Sequence, residues 1–418
     1  AGPSGAGRAR TGAASALGAG TLWATTAPFN PLRAPACRDR GATTPQLARG
    51  LLEGHAAAAL DAARTVRWAR AELERPGEAA RAVAQLRALR FSDLSAEERG
   101  ACAPVLLIGD DSALTRSALG SLLWLLSTDL AVKVLLLSGA GGQADSDSGV
   151  DAFGAYPAGS RLDVSLLAML SRRAYVLQTS VAAPDHLADG VRSALRFDGP
   201  ALICVHCPSP QRHGFPAPRT LDQARLAVAS RSFPLLRFDP AGAGVFGSCL
   251  DLRGNPALDA LLARAADGKP LTPADWAITE SRFRPRFQPL PGAGTPVDKV
   301  LTKAASERDD APARVTDPLD KSAWAADPAL LAWADDRLRL WRTLQEIAGV
   351  VTPFTQRVRE DAERAVADEH ARQIADLKRQ HETALEQLRA DFNAEAATRV
   401  RDGLLALAGY SQREGGDS

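Results

Sequence analysis

Between residues 105 and 238, short apolar runs alternate with amphipathic helical segments, and this alternation narrows the possible folds more than any other feature. Val105-Leu106-Leu107-Ile108 reads as a buried strand, followed by Gly109-Asp110-Asp111-Ser112, a helix reaching Leu126 and a strand over 132–137. Beyond a Gly/Asp/Ser-rich loop (139–160) come a helix near 162–171, a strand over 175–179 and a helix over 184–196 closed by Asp198-Gly199-Pro200. The strand 201–206, the helix 220–230 and the strand 235–238 complete the series. Strands apolar on both faces and separated by helices predict βαβ units. The fold class is therefore α/β, a mostly parallel sheet covered by helices on both faces.

The flanks are less regular. Residues 1–44 are rich in Gly, Ala, Thr and Pro and read as an irregular lead-in to an α/β domain over 45–290. Within that domain, Leu47, Leu51, His55, Leu60, Val66 and Leu73 fall on one helical face, and Pro76-Gly77 breaks the run in two. Pro, Gly and charge over 291–326 read as a linker or arm. Residues 327–418 read as a helical C-terminal extension, with Asp327 as N-cap, Pro328 in the first helical position and a long second helix from about Thr355 to Leu407. Along that helix Ile374, Leu377, His381, Leu385, Leu388, Phe392, Ala396, Val400 and Leu404 recur at a mean step nearer 3.7 than 3.5 residues, which does not support a strict heptad coil. Glu360–Arg364, Asp368–Arg372 and Glu395–Arg399 are acid-before-base pairs that suit an exposed helix docked on a neighbouring subunit.

Fifty basic residues against forty-nine acidic ones give no global field for nucleic acid or an anionic membrane. No apolar run approaches the roughly 20 residues that span a bilayer. The opening AGPSGAGRAR lacks the apolar stretch of a secretory signal. Five cysteines (Cys37, Cys102, Cys204, Cys207, Cys249) suit a reducing cytoplasm better than a disulfide framework. With Met169 its one methionine and none at residue 1, the chain reads as a mature cleaved form or as a segment of a longer polypeptide.

Several stretches resemble the pyruvate:ferredoxin (flavodoxin) oxidoreductases in order and spacing. Thr11-Gly12-Ala13-Ala14-Ser15, then Gly18 and ATTAPFNP, resembles the TGCSS…GG…PTTPY stretch of that family. TSVAAPDHLADGVRSALRFDGPALICVHCPSP is similar to its segment ending GPSLIIAYSPC, and Leu166-Leu167-Ala168-Met169 to GLMAM. Gln223-Ala224-Arg225-Leu226-Ala227-Val228, continuing into PLLRFDP, looks like QQKLAVESGYWPLYRYNP. The resemblance covers roughly residues 10–290 and implies a thiamine-diphosphate-binding type of domain, holding the diphosphate through Mg²⁺ beside a [4Fe-4S] cluster.

Carried over residue by residue, those sites are depleted. The family motif GDGW corresponds to Gly109-Asp110-Asp111-Ser112, so Asp110 keeps the metal carboxylate while Asp111 replaces a glycine that lets the backbone approach the diphosphate. The second metal loop, LDTEVYSNTGGQ, corresponds to Leu135-Leu136-Leu137-Ser138-Gly139-Ala140-Gly141-Gly142-Gln143. It keeps Gly141 and Gly142 but is too short to hold the Thr and Asn ligands. Of the four cluster thiolates, two would precede residue 1, the third is replaced by Ala13 and the fourth by Ser209. Cys204 and Cys207 stand nearby, but a strand points them to opposite faces, so they read as small buried apolar residues. His206 and His213 flank a Pro-rich turn and read as solvated or hydrogen-bonded rather than catalytic. Asp145, Asp147 and Asp151 lack the downstream Glu of a calcium loop and read as a polar loop.

The expectation is a degenerate, non-catalytic domain with no cofactor of its own, serving as scaffold or docking element among other subunits or upstream domains of a redox complex. The C-terminal helix would make the contact, with pairing of two identical copies as a further arrangement. One alternative is an active thiamine-diphosphate-dependent 2-oxoacid oxidoreductase subunit. Another is a different small-molecule pocket at the C-terminal ends of the strands.

Overall fold

The computed structural model describes residues 11–16, 36–39, 43–74, 79–110, 114–115, 118–139, 163–303, 307–308 and 311–409. The chain divides into two units, Ala1–Val351 and Thr352–Ser418. The first opens with β1 (Gly12–Ala16), β2 (Ala36–Asp39), α1 (Thr44–Glu74), α2 (Ala79–Ala88), α3 (Ala96–Gly100), β3 (Val105–Asp110), α4 (Leu119–Leu126) and β4 (Val132–Ser138). Then follow α5 (Val164–Leu170), β5 (Tyr175–Ser180), α6 (Pro184–Arg196), β6 (Ala201–His206), α7 (Pro210–His213), α8 (Thr220–Ala229), β7 (Leu236–Phe238) and β8 (Leu250–Asp251). The unit ends with α9 (Pro273–Ala277), β9 (Phe287–Pro289), β10 (Thr295–Pro296), α10 (Val297–Thr302), β11 (Ala313–Thr316), β12 (Ala323–Ala326) and α11 (Pro328–Ile347).

The expected α/β architecture is present. One sheet has the order β2-β1-β3-β4-β6-β5-β7-β8. Its first six strands are mutually parallel, whereas β7 runs antiparallel to β5 and β8 antiparallel to β7. Leu52 of α1, Leu122 and Leu125 of α4, Ala168 and Met169 of α5 and Ala227 of α8 join one core with Leu107, Val134, Leu136, Val176 and Leu202 of the strands. On the other face Leu187, Val191 and Ala194 of α6 pack on Tyr175, Leu177, Ile203 and Val205. Burial on both faces explains why these strands read as unbroken apolar runs.

Two expectations about the flanks are corrected. The irregular lead-in supplies β1 and β2, and β1 pairs in register with β3 (Ala14 opposite Leu107). Its sequence, GAASA, carries no β-branched residue. Small side chains are used because His55 of α1 lies against Gly12, where an added Cβ would come within 3.3 Å of the ring. Residues 291–326 are no linker either: β10, β11 and β12 pair with β9 in a second sheet of order β10-β11-β12-β9. Val297, Val300, Leu301, Ala313, Val315 and Ala326 belong to the main core. α11 likewise belongs to the first unit. Asp327 caps it by accepting from Leu330 N at 2.7 Å, and Leu330, Trp333, Leu338, Trp341 and Leu344 are buried, each side chain contributing about 2 kcal/mol.

The second unit is α12 (Pro353–Leu407), one helix of 55 residues, about 80 Å long at 1.5 Å per residue. Thr352 and Thr355 form its capping box, and none of its side chains is buried. Two of the expected pairs form along it, Arg364–Glu360 at 3.9 Å and Arg399–Glu395 at 2.7 Å. No described helix is long and apolar enough to cross a membrane.

Candidate functional site at the C-terminal ends of the strands

The chain leaves β1 toward one edge of the sheet, to β2, and leaves β3 toward the other, to β4. Such a reversal opens a crevice beyond the carboxyl ends of the two strands, the usual ligand position in this architecture. A row of buried polar residues closes the strands there: Asp110 on β3, Ser138 on β4, His206 on β6 and Ser180 on β5. Ser138, His206 and Ser180 stand opposite one another in register.

Asp110, the expected metal carboxylate, is 6% exposed and has the Arg212 guanidinium of α7 at 4.0 Å from its Oδ2. Gly109 is also present, but a Cβ there would fall 2.4 Å from Leu114 Cγ. Packing of that fully buried leucine thus requires the glycine, whatever the site binds. Asp111, Gly141 and Gly142, together with Asp145, Asp147 and Asp151, lie outside the described residues.

Around β4 and β6 the chain fills its own crevice. Arg282 donates to Gly139 O at 2.8 Å, just beyond β4, and pairs with Glu280 at 2.6 Å. Its guanidinium lies 5.4 Å from the Trp276 ring centroid and 4.5 Å from that of Phe283, within cation–π range. Glu280 is fully buried and also accepts from Gln223 Nε2 at 3.2 Å. Burial raises its pKa, opposed by the Arg282 charge.

His206 and His213, expected to be solvated or hydrogen-bonded, are buried in this network at 0% and 3% exposure. His206 Nδ1 lies 3.2 Å from Ser138 O, which assigns the proton to Nδ1 and leaves Nε2 as a lone pair. That Nε2 has no hydrogen-bond partner among the described residues; the ring stacks on Phe233 at 5.1 Å and meets Trp276 edge-on at 6.4 Å. Burial, with the Arg282 charge second, pushes the His206 pKa down to about 3. His213 Nδ1 accepts from Ser209 N at 3.3 Å, and burial with Arg282 and His206 pushes its pKa down to about 2. Both rings are neutral at physiological pH.

The described residues do not fit the cluster that the resemblance implies. Ala13 is a buried alanine on β1 and Ser209 starts α7. Cys204 lies in the core on one face of the sheet while Cys207 packs against the core on the other. Burial raises the Cys207 pKa to about 11, against the thiolate that iron needs. Among the described residues no group of three or more His, Cys, Asp or Glu is placed to hold a metal ion.

Glu280, Arg282 and Trp276 were not singled out from sequence, and Gln223 was read only as part of the resemblance. Their signal was present: Thr272-Pro273-Ala274-Asp275 is a capping box with Pro at the first helical position, so the TESRFRPR run follows an ordered helix, not a loop.

No protein-family model matches the sequence. The chain is 28% identical over 192 residues to a pyruvate-flavodoxin oxidoreductase of Rhodospirillum rubrum, covering 43% of this chain and 15% of that protein. It is 29% identical over 188 residues to a probable pyruvate-flavodoxin oxidoreductase of Escherichia coli, with the same shares. A pyruvate synthase subunit PorB of Pyrococcus horikoshii is 33% identical over 76 residues, 18% of this chain and 23% of that subunit. A 2-oxoglutarate:ferredoxin oxidoreductase of Magnetococcus marinus, solved with 2-oxoglutarate, coenzyme A and succinyl-CoA, matches 48% of this chain and 55% of its own at 12% identity and a TM-score of 0.30. The chain thus spans less than a quarter of the length of these curated relatives. In sequence, the chain is similar to pyruvate-flavodoxin oxidoreductases and to a pyruvate synthase subunit.

Proposed function

We propose that this chain is a 2-oxoacid:ferredoxin oxidoreductase-like domain that has given up catalysis and serves as a scaffold among the other subunits or upstream domains of a redox complex. One observation carries the reading. The crevice at the C-terminal ends of β3, β4 and β6 holds two guanidinium groups, Arg212 beside Asp110 and Arg282 on Gly139 O. A guanidinium beside the one inherited metal carboxylate competes for the charge that Mg²⁺ would need. With Ala13 and Ser209 at two cluster positions, neither group of the family would be held here.

An active thiamine-diphosphate-dependent subunit is the second reading. Asp110 at the end of β3 favours it, with missing ligands then coming from a partner. Titrating the purified chain with thiamine diphosphate and MgCl₂ by calorimetry, alongside iron and sulfide analysis, separates the two. The scaffold reading expects no heat of binding up to millimolar cofactor and no iron. Micromolar affinity, or stoichiometric iron and sulfide, would overturn it.

A further inference from the structure

The apolar stripe of α12 has a period of its own. Val366, Leu377 and Leu388 follow one another at eleven residues, as do His370, His381 and Phe392, and likewise Ile374, Leu385 and Ala396. Eleven residues complete three turns at about 3.67 residues per turn, so the three columns hold one face from 366 to 396 and suit a nearly straight or gently right-handed pair. The six large apolar residues among them are 44% to 70% exposed. A helix with no buried side chain gains little from packing, the main source of helix stability in proteins.

Charge selects the occupant. At this pitch Lys378 and Arg389 border one side of the stripe, with Glu382 one position further out on that side, while Glu395 borders the other, with Glu369 and Asp391 one position further out. Two parallel helices bring opposite borders together, and two antiparallel helices bring like borders together. Parallel copies of α12 therefore set the border with Lys378 and Arg389 against the more acidic one with Glu395, Glu369 and Asp391. A second copy also has the same eleven-residue period, whereas a heptad helix would drift by about 20° per heptad.

We infer that α12 pairs in parallel with α12 of a second copy of this chain, making the protein a dimer through an eleven-residue-repeat coiled coil. The two histidine positions sit in the middle of the seam and weaken it. This pairing stands apart from the cofactor question: a chain that binds thiamine diphosphate could still dimerise, and a chain that binds none could be monomeric.

Sedimentation equilibrium of the full chain tests it. The expected wild-type mass is twice 44.1 kDa, falling to a monomer in Leu377→Asp/Leu388→Asp, whose sites are exposed and leave the α/β unit untouched. His370→Leu/His381→Leu should tighten association by about tenfold or more, because two polar rings leave a buried seam. Val366→Cys treated with a short bismaleimide should give a 366-to-366 cross-linked peptide, which an antiparallel pair cannot form. A monomeric wild type at tens of micromolar, a dimer that survives the aspartates, unchanged affinity in the leucine variant, or the absence of the 366-to-366 peptide would each overturn the assignment.

Discussion

Acidification should destabilise the α/β unit through His206 and His213, and the size of the effect follows from their burial. The folded-state pKa values lie at about 3 and about 2, against about 6.5 for an unfolded histidine. Both are depressed, so between those values and 6.5 the unfolded chain binds more protons, and stability falls as pH falls through that window. From pH 7 to pH 5 each imidazole removes about 2 kcal/mol, and the pair about 4 kcal/mol. Glu280 works the other way, because its raised pKa lets the folded chain take up a proton on acidification. A comparison with His206→Leu isolates one histidine from that offset. Leucine is similar in size, does not titrate, and leaves Ser138 O still accepting from Cys207 N at 3.0 Å. Urea unfolding followed by tryptophan fluorescence at pH 7, 6 and 5 should show the variant losing about 2 kcal/mol less than the wild type. Parallel curves, agreeing within a few tenths of a kcal/mol, would refute the neutral-imidazole assignment whatever the absolute stabilities.

Other substitutions probe the packing that shapes the crevice. Gly109→Ala drives a methyl into Leu114, 2.4 Å from Cγ, and should cost about 1–3 kcal/mol. Leu114→Ala should recover part of it, so a double-mutant cycle on unfolding free energies should give a coupling of about 1 kcal/mol or more. Arg231 is fully buried at φ 67°, donates to the carbonyls of Pro256, Ala257 and Ala260, and stacks on Trp341 at 3.9 Å. Arg231→Met leaves those carbonyls without that donor and should lower stability by about 3 kcal/mol, read as a fall of several degrees in melting temperature.

The sheet was legible because its strands are buried on both faces, so Val105–Ile108 and Ala201–His206 announce themselves as apolar runs bounded by turns. β1 was not, because His55 of α1 lies against Gly12 in a run of small residues where β-propensity would ask for Val or Ile, and β2 is four residues reading Ala-Cys-Arg-Asp. The second sheet hid for a different reason: β10 is two residues long, and β11 and β12 are short strands set among Pro, Asp and Lys. Of the site, Asp110 was placed by motif. Its neighbour Arg212, and the Arg282–Glu280 pair reaching Gly139 from 143 positions away, were not, since only the folded chain brings them together. The histidines, read as solvated or hydrogen-bonded, are hydrogen-bonded, and their depth of burial was the part not read. A short Pro-rich segment suggests solvent, yet α7 turns back through Gly214 at φ 73°, and His213 is buried beside Phe215 at 6.3 Å.

The scaffold reading has a consequence for the polar groups of the crevice. A binding site at the ends of parallel strands must leave polar groups unpaired until the ligand arrives, and each unpaired buried group costs about 1–3 kcal/mol. Here Arg282, Glu280, Gln223 and Gly139 O satisfy one another, and the charge of Arg282 is further spread over Trp276 and Phe283. The network makes fixed contacts among the end of β4, α8 and the segment after α9. Satisfaction is incomplete, however: among the described residues, His206 Nε2 and Trp276 Nε1 are buried without hydrogen-bond partners. On the scaffold reading, these two atoms are where filling the crevice still costs free energy. His206→Leu, which removes one of them, should then be neutral or stabilising at pH 7, whereas a residue needed for binding or turnover would show its loss in activity rather than in stability.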